Sequence, residues 1–339
     1  MIVNSKKSSF FTSNKGVPQG SVLGPLLYNL YVADIPCLAT QLKVKLPSFA
    51  DDMTLYCSHT SIETACARAS TALTKIASEL QDRGLSANPS KTVAMLLYPS
   101  TNRQSGQDRQ HAVLLGNSPV EQVHNAKLLG VIVDDRLAWT EHVNAICRKV
   151  GRKIGVLRRT FRQLTPKARR QFLISVIQPD LDYASPATVP FMPATQRNRL
   201  CALWRKAVRC AAGVNKQDDV SPLLGHLKLT PINFRWAMQL AIVIHRCHRG
   251  VAPPHLIAKL ERHSHGRGTR GNTSGDFRPL KPFTSHGEKS FSNRGPLLWN
   301  HLPQDLRTTD SLPLFKRTFL DLLSPQLLSL ALGNVKDYV

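Results

Sequence analysis

Two adjacent carboxylates, Asp51 and Asp52, are the residues whose types and spacing offer the sharpest chemistry in this chain. Negative charges held this close repel each other, and a divalent cation is the common means of offsetting that repulsion. Carboxylate oxygens are ligands that Mg²⁺ prefers, and Mg²⁺ held in this way serves phosphoryl transfer. An isolated Asp-Asp pair also occurs in ordinary solvent-facing turns, so its surroundings decide what it means.

The residues around the pair predict a β-hairpin with the acids at its tip. Residues 43–49 and 53–57 are strand-like runs on either side of Ala50, Asp51 and Asp52. Apolar periodicity and helix caps predict further elements along the chain. These are helices over 21–34, 61–83 and most of 139–213, a buried strand over 93–98, a second hairpin over 112–133 that turns at 116–117, and a Gly/Ser/His/Arg loop over 263–276.

Further blocks occur with the Asp-Asp pair in a fixed order. The first contains glycines that permit close approach of a backbone to bases or phosphates, and a helix begins directly after it. The blocks are residues 16–21 (GVPQGS), 49–52 (FADD), 84–92 (GLSANPSKT), 127–134 (KLLGVIVD) and 139–143 (WTEHV).

In this order the blocks resemble reverse transcriptases, specifically those of non-LTR (LINE-like) retrotransposons. The resemblance extends over about residues 13–160, and residues 299–303 (WNHLP) and 311–316 (SLPLFK) are similar to the C-terminal region of the same proteins. It implies an α+β fold, a partial right-hand polymerase palm of β-hairpins with helices, followed by a mostly α-helical thumb and C-terminal region. The implied domains are a partial palm over 1–136, a basic helical thumb over 137–215 and a helical C-terminal region over 216–339.

The resemblance also implies roles for single positions. Asp51 matches the metal-binding aspartate, Asp52 its neighbouring carboxylate, and Lys91 the lysine that protonates or neutralises the leaving pyrophosphate. Residues implied at the template and incoming nucleotide are Gly16, Pro18, Gln19, Gly20, Phe49 and Ala50, and those implied for the primer grip are Leu128, Leu129 and Gly130. A surface lysine, a capped turn and a plain core strand are the respective alternatives for Lys91, the glycine block and the grip.

The densest positive charge lies between residues 148 and 170, where ten basic side chains occur without an acidic one. We expect that no acid relieves the repulsion between them and that they therefore contact phosphates. The alternative is an ordinary solvated helix face. Under the resemblance this run falls where a thumb holds the sugar-phosphate backbone of a template–primer hybrid. The implied backbone contacts are Arg148, Lys149, Arg152, Lys153, Arg158, Arg159 and Arg162.

One feature of the family has no match. The family needs another aspartate, on a palm strand upstream of the 16–21 block, and the fifteen residues before Gly16 contain no carboxylate. We therefore expect a chain that begins within the palm, as a truncated element copy or a partial gene model. It would lack the fingers and an endonuclease, and on its own it would be inactive because the two-metal site is incomplete.

Composition narrows the classes of partner and compartment. The 339 residues carry a net charge of +23, and 42% are hydrophobic, which is typical of a folded protein with a polyanionic partner. No apolar run approaches the ~18 residues of a membrane span, and no signal peptide is evident. Seven cysteines without CxxC pairs favour a reducing, intracellular compartment, nuclear or cytoplasmic. The remaining Cys and His spacings form no zinc knuckle, so we expect no zinc.

The sequence is therefore read as a fragment of an RNA-directed DNA polymerase. In its intact parent it would add deoxynucleotides to a DNA 3′-hydroxyl on an RNA template by two-metal phosphoryl transfer with Mg²⁺. The partners would be the RNA template, the DNA primer and deoxynucleoside triphosphates, without a membrane. The alternatives are a non-catalytic basic nucleic-acid-binding protein and a decayed element copy. Open questions are the oligomeric state and whether residues 216–339 pack on the preceding helices.

Overall fold

The structure, a computed structural model, describes residues 2–3, 6–7, 16, 20–97, 112–262 and 277–333. The chain divides into two units, Met1–His124 and Asn125–Val339. The domain limits expected from the sequence, after residues 136 and 215, stay a prediction. No helix within the described ranges combines the length and the apolar character that crossing a bilayer requires.

The described part of the N-terminal unit combines helices with small sheets, which confirms the predicted α+β character. Its helices are α1 (Gly24–Tyr31), α2 (Ile35–Gln41) and α3 (Ile62–Asp82). Its antiparallel pairs are β1 (Ile2–Val3) with β2 (Lys6–Lys7), β3 (Ser48–Phe49) with β4 (Asp52–Met53), and β6 (Leu114–Leu115) with β7 (Ser118–Pro119). Strand β5 (Val93–Ala94) pairs in parallel with β8 (Glu121–Gln122).

Helix α3 follows its sequence signals closely. The Ser61 hydroxyl accepts a hydrogen bond from the Thr64 amide, which satisfies one of the free N–H groups of the first turn. After the helix ends, Gly84 takes a left-handed φ of +70°, a conformation that glycine adopts without a steric penalty. The buried stripe of α3 packs on α2 and on the residues that lead into the Asp-Asp hairpin. The core of this unit contains Val32, Ile35, Ala39, Val44, Leu46, Ala72, Ile76 and Leu80.

Three predicted elements differ from the structure. The hairpin expected over 112–133 turns at residues 116–117 but contains only β6 and β7, and Asn125–Leu128 begins a separate hairpin. The helix expected over 21–34 is shorter in the structure, where α1 ends at Tyr31 and a turn at residues 32–34 follows. A second helix, α2, then begins with Pro36 in its first turn, where proline is tolerated. The buried strand expected over 93–98 is wrong. Within the described residues only Val93–Ala94 is a strand. It pairs with β8 alone among them, and Val93 is 43% exposed.

The C-terminal unit opens with one hairpin and continues as helices. Strands β9 (Asn125–Leu128) and β10 (Val131–Asp134) pair antiparallel, with Leu128 opposite Val131. The helices are α4 (Thr140–Arg159), α5 (Pro166–Phe172), α6 (Gln178–Asp182), α7 (Ser185–Thr188), α8 (Ala194–Ala212), α9 (Ser221–His226), α10 (Ile232–His248), α11 (Pro254–Ile257), α12 (Ser285–Lys289), α13 (Phe291–Asn300), α14 (Gln304–Arg307), α15 (Leu312–Asp321) and α16 (Pro325–Leu332). A π-helical segment, Leu173–Ile177, joins α5 to α6.

One hydrophobic core, running from Trp139 to Leu332, unites these helices. Helix α10 crosses its centre, and the Arg235 guanidinium stacks on the Trp204 ring of α8 at 4.3 Å. The buried Arg197 side chain of α8 donates a hydrogen bond to the Leu332 carbonyl at the end of α16. Residues after 216 therefore pack on the helices before them, which answers the question that the sequence leaves open.

The ends of the 263–276 segment are joined to each other. Arg262 and Phe277 form an antiparallel bridge, and the Asn300 side chain both accepts from the Phe277 amide and donates to its carbonyl. Asn300 belongs to the WNHLP block, so in this structure the block holds the backbone of Phe277, which pairs with Arg262. The predicted loop itself lies outside the described residues.

Candidate functional site

The Asp-Asp pair lies at the exposed tip of the predicted hairpin. Lys45 and Tyr56 exchange backbone hydrogen bonds of 2.9 Å at its base, and Phe49 pairs with Asp52 near its tip. Ala50 takes a left-handed φ of +52°, which allows the turn between Phe49 and Asp52 to be as short as Ala50 and Asp51. Both carboxylates are exposed, so the hairpin prediction is confirmed and the acids are accessible from solvent.

Helix α1 brings Tyr28 near the hairpin tip, a residue that the sequence reasoning missed. Burial raises the pKa of Tyr28, and the negative charge of Asp51 raises it further. The available signal was the spacing of Gly24, Tyr28 and Val32, which repeats every four residues and marks the inner face of α1 and its end. The opposite face carries exposed leucines at positions 23, 26, 27 and 30.

The described glycines of the 16–21 block and Lys91 each have a distinct local structure. Gly16 and Gly20 have left-handed φ values of +78° and +88°, and no heavy atom of the described residues lies within 4 Å of where their Cβ atoms would stand. Pro18 and Gln19 lie outside the described residues. Lys91 ends a single 3₁₀ turn that Asn88 caps, and it is exposed.

The described residues do not form a complete metal site. Within the described ranges, no cluster of three or more His, Cys, Asp or Glu side chains is arranged to hold an ion. Asp51 and Asp52 fit the oxygen chemistry of Mg²⁺, but Mg²⁺ takes about six oxygens in near-octahedral geometry. The pair alone therefore does not make a complete site.

Leu128, Leu129 and Gly130, expected at the primer grip, form the tip of the β9–β10 hairpin. Leu129 and Gly130 have φ values of +46° and +85°, so the two-residue turn is of the I′ kind that suits the twist of paired strands. The side chains of Leu128 and Leu129 are 41% and 45% exposed. They are therefore surface groups, which corrects the alternative of a plain core strand.

The base of this hairpin is fixed to the helical unit. The Asp134 carboxylate accepts hydrogen bonds from the amides of Ala138, at 2.8 Å, and Trp139, at 2.7 Å. The Ile132 amide donates to Nδ1 of the buried His142 at the start of α4. These contacts hold the β10 strand against α4, and with it the tip.

Helix α4 shows that the basic run 148–170 is not uniform. Arg148, Arg152, Arg158 and Arg159 are exposed. The expectation that no acid relieves the repulsion is wrong, because Asp180 of α6 pairs with Lys149 at 2.9 Å and with Lys153 at 2.5 Å.

Lys153 also donates to the Val176 carbonyl at 2.7 Å, and only 28% of its side chain is exposed. Further along the run, Arg170 donates to the Leu227 carbonyl, and Arg169 stacks on Phe161 at 3.8 Å. These side chains hold helices together, whereas Arg162, on the turn after α4, is exposed.

Helix α8 adds basic side chains that the sequence reasoning missed. Arg199 and Arg148 line an open cleft of about 280 Å³ between α8 and α4. Arg158 and Lys206 both approach the Cys210 thiol. Arg199 and Lys206 are seven residues apart on α8, a spacing that places them on one face and could have been noticed. The exposed side chains Arg148, Arg152, Arg158, Arg159, Arg199 and Lys206 are called the basic face below.

The cysteines and histidines weighed as zinc ligands have other contacts. Cys201 Sγ donates to the Asn233 side chain at 3.3 Å. Nε2 of His245 lies 2.8 Å from the Thr309 carbonyl, and the His248 ring packs against Trp299 and Phe277. Burial raises the pKa of the thiols of Cys210 and Cys247.

Comparison with known proteins gives these features a family. Residues 1–133 match the family described as reverse transcriptase (RNA-dependent DNA polymerase). The chain is 31% identical over 172 residues to the "Probable RNA-directed DNA polymerase from transposon BS" of Drosophila melanogaster, which is 48% of this chain and 18% of that protein. It is 30% identical over 148 residues to the "RNA-directed DNA polymerase from mobile element jockey" of Drosophila funebris, 41% of this chain and 15% of that protein.

A third relative, the "Retrovirus-related Pol polyprotein from type-1 retrotransposable element R1" of Nasonia vitripennis, is 27% identical over 149 residues, 44% of either chain. The chain spans less than half the length of each of these relatives. No solved structure matches it. The reverse transcriptase family generally uses divalent metal ions. Residues 1–133 are therefore similar to reverse transcriptases, and the chain is a relative of the RNA-directed DNA polymerases of non-LTR retrotransposons.

Proposed function

We propose that this chain forms palm and thumb parts of an RNA-directed DNA polymerase, which adds deoxynucleotides to a DNA 3′-hydroxyl on an RNA template. The exposed Asp51–Asp52 tip of the β3–β4 hairpin, inside the matched reverse transcriptase region, is the observation that carries this proposal. The partners are an RNA template, a DNA primer and deoxynucleoside triphosphates. The enzyme acts inside the cell, in the nucleus, the cytoplasm or both.

Three chemical tasks of such a polymerase fall to groups of this chain. Asp51 and Asp52 supply carboxylate oxygens toward Mg²⁺, which would neutralise charge on the reacting phosphates when bound. The exposed ammonium of Lys91 is suited to give a proton to, or neutralise, the leaving pyrophosphate. The bare backbone at Gly16 and Gly20 permits close approach of a nucleotide.

The basic face is proposed to hold the sugar-phosphate backbone of the hybrid. Its guanidinium and ammonium groups are exposed on two neighbouring helices, α4 and α8. Contacts of this kind position a duplex without reading its sequence. Lys149 and Lys153, which pair with Asp180, are expected to contribute less than the exposed arginines.

Primer extension on an RNA template tests the proposal. The assay uses an element protein that combines this chain with an upstream palm strand carrying the further aspartate. We expect Asp51→Asn to reduce extension with Mg²⁺ to background and to leave binding of the RNA–DNA hybrid unchanged. Asp82→Asn, the same charge change at the exposed end of α3, is the control and should extend normally. Undiminished extension by the Asp51→Asn protein would contradict the assignment.

A non-catalytic nucleic-acid-binding protein is the second candidate, and the basic face is the observation that favours it. The same experiment separates the two candidates. Under this alternative, the hybrid binds with a steep salt dependence, but no extension occurs in the wild-type element protein, and Asp51→Asn changes nothing.

A further inference from the structure

The tip of the β9–β10 hairpin adopts a backbone that its own sequence disfavours. Leu129 has a left-handed φ of +46°, a conformation that Gly, Asn or Asp adopts far more readily than a branched apolar residue. Such a residue keeps this conformation only where surrounding contacts enforce it. We therefore expect a residue outside the hairpin to contact the turn at Leu129 and stabilise its backbone.

Tyr183 supplies that contact from the turn between α6 and α7. Its hydroxyl donates a hydrogen bond of 2.7 Å to the Leu129 carbonyl, and its ring lies 3.5 Å from where a Cβ of Gly130 would stand. Tyr183 is 56% exposed, so it is not a core residue placed there by burial alone. It is joined to the hairpin by contacts between residues 54 positions apart in the chain.

The backbone on both sides of Tyr183 is fixed by helix α10. The Asp182 carboxylate accepts hydrogen bonds from the Arg235 guanidinium at 2.9 and 3.1 Å, and Trp236 Nε1 donates to the Leu181 carbonyl at 3.0 Å. On the other side, the buried Ser185 hydroxyl donates to the Gln239 side chain. The phenol is therefore mounted on the rigid centre of the C-terminal unit.

Asp134 and His142 hold the base of the hairpin, and Tyr183 holds its tip. Two leucine side chains at this tip remain partly exposed. Leu128 and Leu129 are 41% and 45% exposed on a turn whose backbone is held in place. Apolar side chains fixed on a rigid turn suit the sugar and base faces at the end of a duplex better than the phosphates that the basic face would contact.

We propose that Tyr183 is a positioning residue that sets the Leu129–Gly130 turn, so that Leu128 and Leu129 contact the 3′-terminal nucleotide of the primer. This inference rests on the proposed function. Tyr183 acts through the Leu129 carbonyl and is not assigned a contact with the reacting atoms. Loss of its hydroxyl leaves the ring against Gly130 and releases the turn.

The test uses the chain and an RNA template annealed to a DNA primer whose terminal base is 2-aminopurine, whose fluorescence reports stacking. We expect the wild-type chain to change this fluorescence at saturation. Tyr183→Phe should bind the hybrid with a Kd within about twofold of wild type but lose most of the change. Tyr31→Phe, which removes another tyrosine hydroxyl bound to a backbone carbonyl, is the matched control and should respond as wild type.

A second variant separates positioning from folding. Leu129→Asn places a residue that tolerates the left-handed turn where leucine stands, so it should unfold at the same or a higher temperature and still lose the fluorescence change. A full response by Tyr183→Phe, or by Leu129→Asn, would overturn the inference while hybrid binding stands. A wild-type chain that binds without any change would also overturn it, and a wild-type chain that does not bind would overturn the proposed function itself.

Discussion

Tyr31 and Arg83 are linked by two hydrogen bonds that run in opposite directions. The Tyr31 hydroxyl donates to the Arg83 carbonyl at 2.5 Å, and the Arg83 guanidinium donates to the Tyr31 carbonyl at 2.9 Å. Arg83 also pairs with Asp34 and Glu79. The end of α1 and the start of α2 are thereby fastened to the end of α3.

The Asp34 carboxyl should make the N-terminal unit sensitive to acid. Hydrogen bonds from Arg83 lower the pKa of Asp34 to about 2, below its ordinary value of 3.8. Because the folded state favours the ionised Asp34 carboxylate, this group stabilises the fold at pH values above about 4. That stabilisation is lost as the pH falls from about 4 toward 2. The urea midpoints of wild type and Arg83→Gln should therefore converge over this range, and Asp34→Asn should show the same convergence. A constant difference between wild type and Arg83→Gln would contradict this.

The His248 ring should make the C-terminal unit less stable below neutral pH. Burial, with the charges of Arg262 and Arg249, lowers the pKa of His248 to about 4 from 6.5. The unfolded chain then binds more protons, so stability falls as the pH drops from about 6.5 to 4. Thermal unfolding of His248→Phe should depend less on pH across this range than that of wild type. The exposed His255, changed to Phe, serves as the control and should leave the wild-type slope.

Removing one partner of the Asp182–Arg235 ion pair should destabilise the fold strongly, whereas replacing both partners by apolar residues should destabilise it much less. Both side chains are nearly buried, at 11% and 5% exposure. Asp182→Ala leaves a buried guanidinium without its partner, and we expect a loss of about 3–5 kcal/mol in the free energy of unfolding. Changing Asp182 to Leu and Arg235 to Met together should recover much of that loss in urea unfolding. A single variant within about 1 kcal/mol of wild type would show that the pair is unimportant.

The basic face should determine how steeply hybrid binding depends on salt. If about six phosphates are neutralised, log K should fall with a slope near −5 against log salt concentration. Changing Arg148, Arg152, Arg158 and Arg159 to Gln should reduce that slope to about −2, since about four phosphate contacts are lost. Four exposed residues elsewhere, Arg246, Lys259, Lys281 and Arg317, changed to Gln, keep the same net charge loss and should leave the slope near wild type. Equal slopes for the two quadruple variants would rule out the basic face as the contact.

The sequence predicted the features that depend on neighbouring residues and missed those that depend on residues far apart in the chain. The Asp51–Asp52 hairpin and α3 depend on neighbours in the chain, on strand-like runs and on the Ser61 cap, so local patterns were sufficient. Asp180 and Tyr183 act on residues 27 and 54 positions away, and no local pattern reports such contacts. A run of charge therefore looked uniform in the sequence although packing had divided it between the surface and the helical core.

The joined ends of residues 263–276 bear on how this protein can be engineered. Arg262 pairs with Phe277, and the Asn300 amide holds the backbone of Phe277 as a neighbouring strand would. The contacts that join these two ends are made by residues outside 263–276, so they do not depend on how many residues lie between the ends. A fluorescent domain or affinity tag spliced there would report on the helical unit at a distance in sequence from both the aspartates and the basic face.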